Sequence, residues 1–163
     1  VNSFSAVAPR IEPRADVAAF EQVARALVGI TLKSLSVLDG AVSVSQFRLL
    51  LALDGLGRVP SSTLAEALGM GASSVTRLVD RLQALGLVER GSVEHSRSIV
   101  TVEVTAQGRD LVTAVLDRRH ALLEDVLDRM DPQDRETARQ VATGFAALAG
   151  DAVALGVSGP VPL

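Results

Sequence analysis

Apolar residues recur at three- and four-residue spacing over most of this chain, and that period predicts helices. Over residues 14–38, Val17, Phe20, Val23, Ala24, Leu27, Thr31 and Leu35 share one stripe. This predicts a long first helix, weakened at Gly29 and ended by Asp39-Gly40. Ser45-Gln46-Phe47 opens a second helix, with Phe47, Leu50, Leu51, Leu53 and Leu56 on its apolar side, and Gly55, Gly57 and Pro60 closing it. Two short helices follow at 62–68 and 72–85, joined by the turn Gly69-Met70-Gly71. The first is apolar through Leu64, Ala65 and Leu68. The second carries Val75, Leu78, Val79, Leu82 and Leu85 on one stripe.

The period then changes. Residues 87–90 and the β-branched run 99–104 predict two strands of a hairpin, with 91–98 as its tip. Thr105-Ala106-Gln107-Gly108 leads into a long helix reaching about residue 130, apolar through Leu111, Val112, Val115, Leu116, Leu122, Leu123, Val126 and Leu127. Asp131-Pro132 starts a last helix, with Asp as the cap and Pro in the first helical position. Ala138, Val141, Ala142, Phe145, Leu148, Ala149 and Val153 form its stripe. Residues 1–13, with Pro9 and Pro13 and no period, predict a flexible arm, and 156–163 a frayed tail.

Two short helices with a tight turn, followed by a hairpin, predict a winged helix-turn-helix. The expected fold is mainly α with a small β-hairpin wing. The winged domain spans 43–105, between dimerisation helices at 14–42 and 106–155. The broad Ala, Val and Leu stripes of the flanking helices exceed what one small domain can cover, and a two-fold dimer hides the excess. At about 100° per residue, Ser73, Ser74, Arg77 and Arg81 oppose the apolar stripe of the second short helix. That is the layout of a recognition helix. Arg77 and Arg81 are candidate contacts to guanine edges or phosphates. Ser73, Ser74 and Thr76 sit at the helix start, where hydroxyls and free N–H groups meet phosphates or bases. The bland alternative is a solvated arginine pair offset by the neighbouring Asp80, with the hydroxyls serving as caps.

Composition narrows the remaining classes. The 163 residues contain no Cys, which excludes disulfides and thiolate chemistry. Trp and Tyr are absent, which argues against a surface built on base stacking. The net charge of −3 is uneven: residues 111–163 hold five basic and eight acidic groups, whereas 43–110 hold seven of each. A neutral middle segment predicts modest non-specific DNA affinity. No apolar run reaches the roughly 20 residues of a membrane span, and no leader pattern is visible, so a cytoplasmic protein without a membrane partner is expected. No nucleophile–base pattern or phosphate loop is present, so no enzyme activity and no cofactor are expected. His120 and Glu124, four residues apart, are too few for a metal site and predict a surface salt link. Met70 reads as packing.

The stretch VSVSQFRLLLALDGLGRVPSSTLAEALGMGASSVTRLVDRLQALGLVER, followed by VTVEVTAQGRDLV, resembles the MarR family of winged-helix transcriptional regulators. The Gln-Phe opening, the Leu-Ala-Glu-x-Leu helix, the Ser-Ser-Val-Thr-Arg-Leu-Val-Asp-Arg-Leu helix and the Gly-Leu-Val-x-Arg exit carry the likeness, over 42–112. The resemblance implies a homodimer on a pseudo-palindromic double-stranded DNA operator, often a repressor released by a small ligand. Family ligands are commonly aromatic acids or phenolic compounds, bound between the dimer helices and the winged domain; Phe20 and Phe47 are candidate liners. The chain departs from the family at the wing. The usual Asp-x-Arg, whose Arg enters the minor groove, aligns with Ser96 and Ser98 here, with Arg97 between them. The anchor is absent or moved by one residue, which leaves Arg97 as the candidate wing contact and His95 as added charge at low pH. A dimer of this fold that has lost DNA recognition, and binds a ligand or protein instead, is the alternative.

Overall fold

The computed structural model describes residues 14–93 and 96–152, with side chains undescribed at 93–99 and 150–152. The arm at 1–13, the tail at 156–163, Val153 and His95 lie outside the described residues. Helix α1 spans Ala15–Ser34 and passes through Gly29 into a 3-10 turn at Leu35–Leu38. Only Thr31 and Ser34 of α1 are buried, while Val17, Val23 and Leu32 stay about half exposed. The stripe read from the sequence therefore finds little cover within its own chain.

Helix α2, Val44–Leu56, is the centre of the core. It begins one residue earlier than the sequence predicts, because Ser43 forms a capping box: Gln46 N donates to Ser43 Oγ at 3.3 Å, and Ser43 N donates to Gln46 Oε1 at 2.7 Å. It is buried nearly all round, through Phe47, Leu49, Leu50, Leu51, Ala52 and Leu53, rather than on one apolar side. It runs through Gly55 and ends at Gly57, whose φ of 70° suits only glycine.

A two-residue strand that the sequence hides, β1 at Val59–Pro60, follows α2. Helix α3 is Ser61–Leu68 and α4 is Ala72–Ala84. Strands β2, Val88–Val93, and β3, Ser96–Val104, are longer than expected, so the hairpin tip shrinks well inside 91–98. The antiparallel sheet has the order β1-β3-β2, pairing Val59 with Val102 and Arg90 with Val102 from the other side. Pro60 is tolerated because β1 is an edge strand. Ser92 pairs with Val100 but Val93 pairs with Ser96, so residues 97–99 form a bulge on β3.

Helix α5, Ala106–Leu127, is tied to the end of α4. Thr105 Oγ1 accepts from Gly108 N at 3.1 Å and donates to the Gly86 carbonyl at 2.7 Å, and Thr105 N donates to the Leu87 carbonyl at 3.1 Å. Gly108 permits this approach: a Cβ there would stand 2.2 Å from the Leu87 carbonyl oxygen. Helix α6, Pro132–Ala152, starts as expected, with Asp131 Oδ1 accepting from Gln133 N at 2.9 Å. No residue of α6 from 132 to 149 is buried. It touches α1 through Phe20 and Phe145, stacked with centroids 4.6 Å apart. Among the described residues, no helix is long and apolar enough to cross a membrane.

Candidate nucleic-acid interface

Helices α3 and α4 meet through Leu64, Leu68, Val75, Val79 and Leu82, all buried. Gly69 closes α3 at φ 61°, and Met70 N donates back to the Ala65 carbonyl at 2.9 Å. Met70 packs against the core, as expected. This fixes which face of α4 looks outward. Ser73, Thr76, Arg77 and Arg81 are exposed, while Ser74 is half-buried on the flank. Leu85, expected on the buried stripe, is 42% exposed because the helix ends at Ala84 and the chain turns away.

The start of α4 is chemically open. Gly71 provides no side-chain cap, so the first amides of the helix meet solvent. The Thr76 hydroxyl donates to the Ala72 carbonyl at 2.9 Å, which leaves its lone pairs outward. Arg77 Nη2 lies 3.4 Å from Ser74 Oγ. A hollow of about 300 Å³ beside the helix is bordered by Ser45, Met70, Ser74, Arg77, Leu78 and Arg81. The flank of α4 and the start of α2 thus share one concave surface.

The partner expected for the two arginines is taken. Asp80 receives Arg90 Nη2 at 2.6 Å, and Gln83 Oε1 receives Arg90 Nη1 at 2.7 Å. Among the described residues, neither Arg77 nor Arg81 is in an ion pair. Arg90, on β2, therefore neutralises the one carboxylate of α4 and ties the helix to the wing. The sequence gives no local signal for this, since the partners are ten residues apart across a helix end.

A second contact that sequence reading misses sits at the base of the wing. Arg58, preceding β1, pairs with Glu103 on β3. Its guanidinium lies over Gly91, where a Cβ would come within 3.1 Å of Nη1. The Arg58 hydrogen bond holds the Glu103 carboxyl below its ordinary value, and Glu103 in turn raises Arg58. Farther along, the backbone of Arg97 lies in the β3 bulge, and its side chain is outside the described atoms.

Other candidates separate from the site. The salt link expected between His120 and Glu124 does not form, and no cluster of three or more His, Cys, Asp or Glu exists among the described residues. Phe47 is a core residue and Phe20 stacks on Phe145, so neither borders the hollow beside α4.

A two-helix reader backed by an apolar core, with a three-stranded sheet behind it, defines a winged helix-turn-helix protein. The model of the MarR family matches residues 42–98. The structure is similar to RV1404 of Mycobacterium tuberculosis, with TM-score 0.77 and 30% identity, covering 87% of this chain and 99% of that one. The chain belongs to the MarR family. It is 28% identical over 95 residues to the HTH-type transcriptional regulator YfiV of Bacillus subtilis, a match covering 58% of this chain and 59% of that protein. It is 24% identical over 83 residues to the transcriptional repressor MprA of Escherichia coli, covering 51% of this chain and 47% of that one. These matches thus span about half of the relatives' lengths. The fold is also that of a Staphylococcus aureus MepR mutant bound to an oligodeoxyribonucleotide, with TM-score 0.65 and 16% identity, covering 84% of this chain and 99% of that one. Family members are transcriptional regulators rather than enzymes.

Proposed function

We propose that this chain is a sequence-specific, double-stranded-DNA-binding regulator, working as a homodimer and as a repressor relieved by a small ligand. The observation that carries the reading is the outward face of α4. It presents Arg77 and Arg81 without carboxylate partners, because Asp80 is held by Arg90. A guanidinium free of a carboxylate keeps its paired donors for a guanine edge or a phosphate. Ser73, Ser74 and Thr76 add hydroxyls, and Ala72 and Ser73 add uncapped amides, at the helix start where a phosphate is best received. Arg97 is the wing's contribution, on the strand whose register shifts beyond Ser92.

Packing supports the dimer. Helices α1 and α6 carry apolar side chains with little cover in their own chain, and a second copy supplies that cover. Segments 14–42 and 106–155 then hold the two copies together, while 43–105 presents one α4 per half-site. Adjacent half-sites on one DNA face call for recognition helices about 34 Å apart. The cytoplasm, where the DNA is, is the proposed place of action.

The test is a gel shift of the purified dimer on DNA upstream of its own gene, at several salt concentrations. The expected result is a site-specific complex that weakens as salt rises. A dimer that binds no DNA even at low salt overturns this reading and leaves the alternative, a ligand- or protein-binding dimer.

A further inference from the structure

The two outward arginines of α4 are not equivalent. Arg81 lies in the last turn of the 13-residue helix, whereas Arg77 lies four residues nearer its start. At 1.5 Å per residue that separates them by about 6 Å along the axis. A recognition helix meets base edges with the residues of its N-terminal part. Arg77 is therefore placed toward the bases, and Arg81 toward the backbone that borders them.

Their hydrogen bonds differ in the same sense. Arg77 Nη2 donates to Ser74 Oγ, one turn back, at 3.4 Å. The bond is long, so it sets the direction of the side chain more than it adds stability. That direction, toward the N-terminus, is the one helical side chains favour, and it draws Arg77 away from the like charge of Arg81. Ser74 is half-buried and borders the same hollow as Met70 and Leu78, so packing fixes where its hydroxyl stands. Arg81 is exposed, and its guanidinium has no hydrogen-bond partner among the described residues. A guanidinium aimed in advance loses less freedom when its fork docks on a base edge. A free one adapts to a phosphate, which accepts from several directions.

We infer that Arg77 reads a guanine and Arg81 holds a phosphate, with Ser74 as the positioning residue that aims Arg77. Nη2 carries two protons, so the bond to Ser74 leaves one of them, with those of Nη1 and Nε, for guanine O6 and N7. The phosphate contact of Arg81 adds affinity without sequence information. Each half-site then contains a guanine whose identity is enforced by Arg77 and Ser74 and not by Arg81. This division of roles rests on the DNA-binding function proposed above.

The experiment selects binding sites for the full wild-type chain from a random pool of double-stranded DNA. The selected half-sites are expected to share a guanine. Polarisation then gives affinities, at several salt concentrations, for a selected duplex and for the same duplex with each shared G·C pair replaced in turn by A·T. The wild type is expected to prefer one guanine by at least about fivefold. Arg77→Gln is expected to lose that preference and turn toward adenine, because a Gln amide pairs with adenine N6 and N7. Arg81→Gln is expected to weaken both duplexes alike, to keep the guanine preference, and to make log affinity against log salt shallower by about one unit per half-site. Gln at either exposed position suits a helix, so both variants keep the fold. Ser74→Ala is expected to cut the preference by about two- to threefold, as the loss of one weak hydrogen bond would. A preference that survives Arg77→Gln, or one that disappears in Arg81→Gln, overturns the division of roles while leaving DNA binding intact. Ser74→Ala with the full preference overturns its positioning role. A wild-type chain that enriches no sequence overturns the proposed function, and this division with it.

Discussion

At the scale of single residues, what distinguishes α4 is which charges remain unpaired. Asp80 lies three residues from Arg77, close enough on a helix to draw that guanidinium out of the outward face. Arg90 prevents this by occupying the carboxylate and Gln83 together. Replacing Arg77 or Arg81 with Ala is expected to weaken specific operator binding by about 1–3 kcal/mol while the dimer persists, as polarisation and sedimentation would read. Unchanged affinity in both would show that α4 is not the reader. Arg90→Ala is the sharper case. It is expected to weaken operator binding by about 0.5–1 kcal/mol, because Asp80 is then free to pair within α4. Adding Asp80→Asn to Arg90→Ala should restore most of that affinity. If it restores none, Arg90 acts by touching DNA itself rather than by holding Asp80.

At the scale of elements, two junctions set where α4 and the wing point. The Arg58–Glu103 pair fastens β1 to β3, and Glu103 has a folded-state pKa below its ordinary value of 4.5. A lowered carboxyl contributes its stabilisation fully above the unfolded pKa and loses it as pH falls through the folded one. Hydrogen exchange of the β3 amides is therefore expected to speed up as pH drops below 4.5, after correction for the intrinsic rate. In Glu103→Gln that extra pH dependence should vanish; if it persists, another group titrates. The second junction has no tolerance. A methyl group at Gly108 would meet backbone rather than a movable side chain, so Gly108→Ala is expected to cost about 3 kcal/mol or more, seen as a lower urea midpoint. A variant as stable as wild type would mean that α5 is not seated on Leu87.

These elements also mark what a sequence can reveal. Helix α4 and its turn were legible because Val75, Val79 and Leu82 repeat at helical spacing and Gly69 and Gly71 punctuate them. Strand β1 was not, since two residues have no period and Pro60 argues against a strand. Periodicity puts Leu85 in the core because it does not register that the helix has already ended. Arg58 and Arg90 gained their roles only when strands brought distant residues together. Nor does spacing distinguish a stripe facing its own core from one left exposed on the single chain, as α1 and α6 illustrate.

At the scale of the whole molecule, α6 is the element least accounted for by its own chain. A 21-residue helix with no buried residue from 132 to 149 has little within its own chain to hold it folded. Val141, Phe145 and Leu148 are 50%, 52% and 76% exposed on one side, and α1 offers a similar open stripe through Val17, Val23 and Val28. In the proposed dimer, a two-fold partner covers both at once. Leu148 is the most informative position, because it is so exposed in the single chain that charge there should not disturb the protomer. Covering one leucine contributes about 1.5–3 kcal/mol, and two-fold symmetry counts it twice. Leu148→Glu is therefore expected to raise the dimer dissociation constant by about two to four powers of ten, before the added cost of burying a carboxylate. Sedimentation at micromolar concentration should then find single chains, and circular dichroism should record the melting of α6. Operator affinity should fall with it, since each protomer then holds one half-site alone. A wild-type chain that sediments as a monomer with α6 intact would remove the dimer from this picture, as would a Leu148→Glu variant that assembles as before.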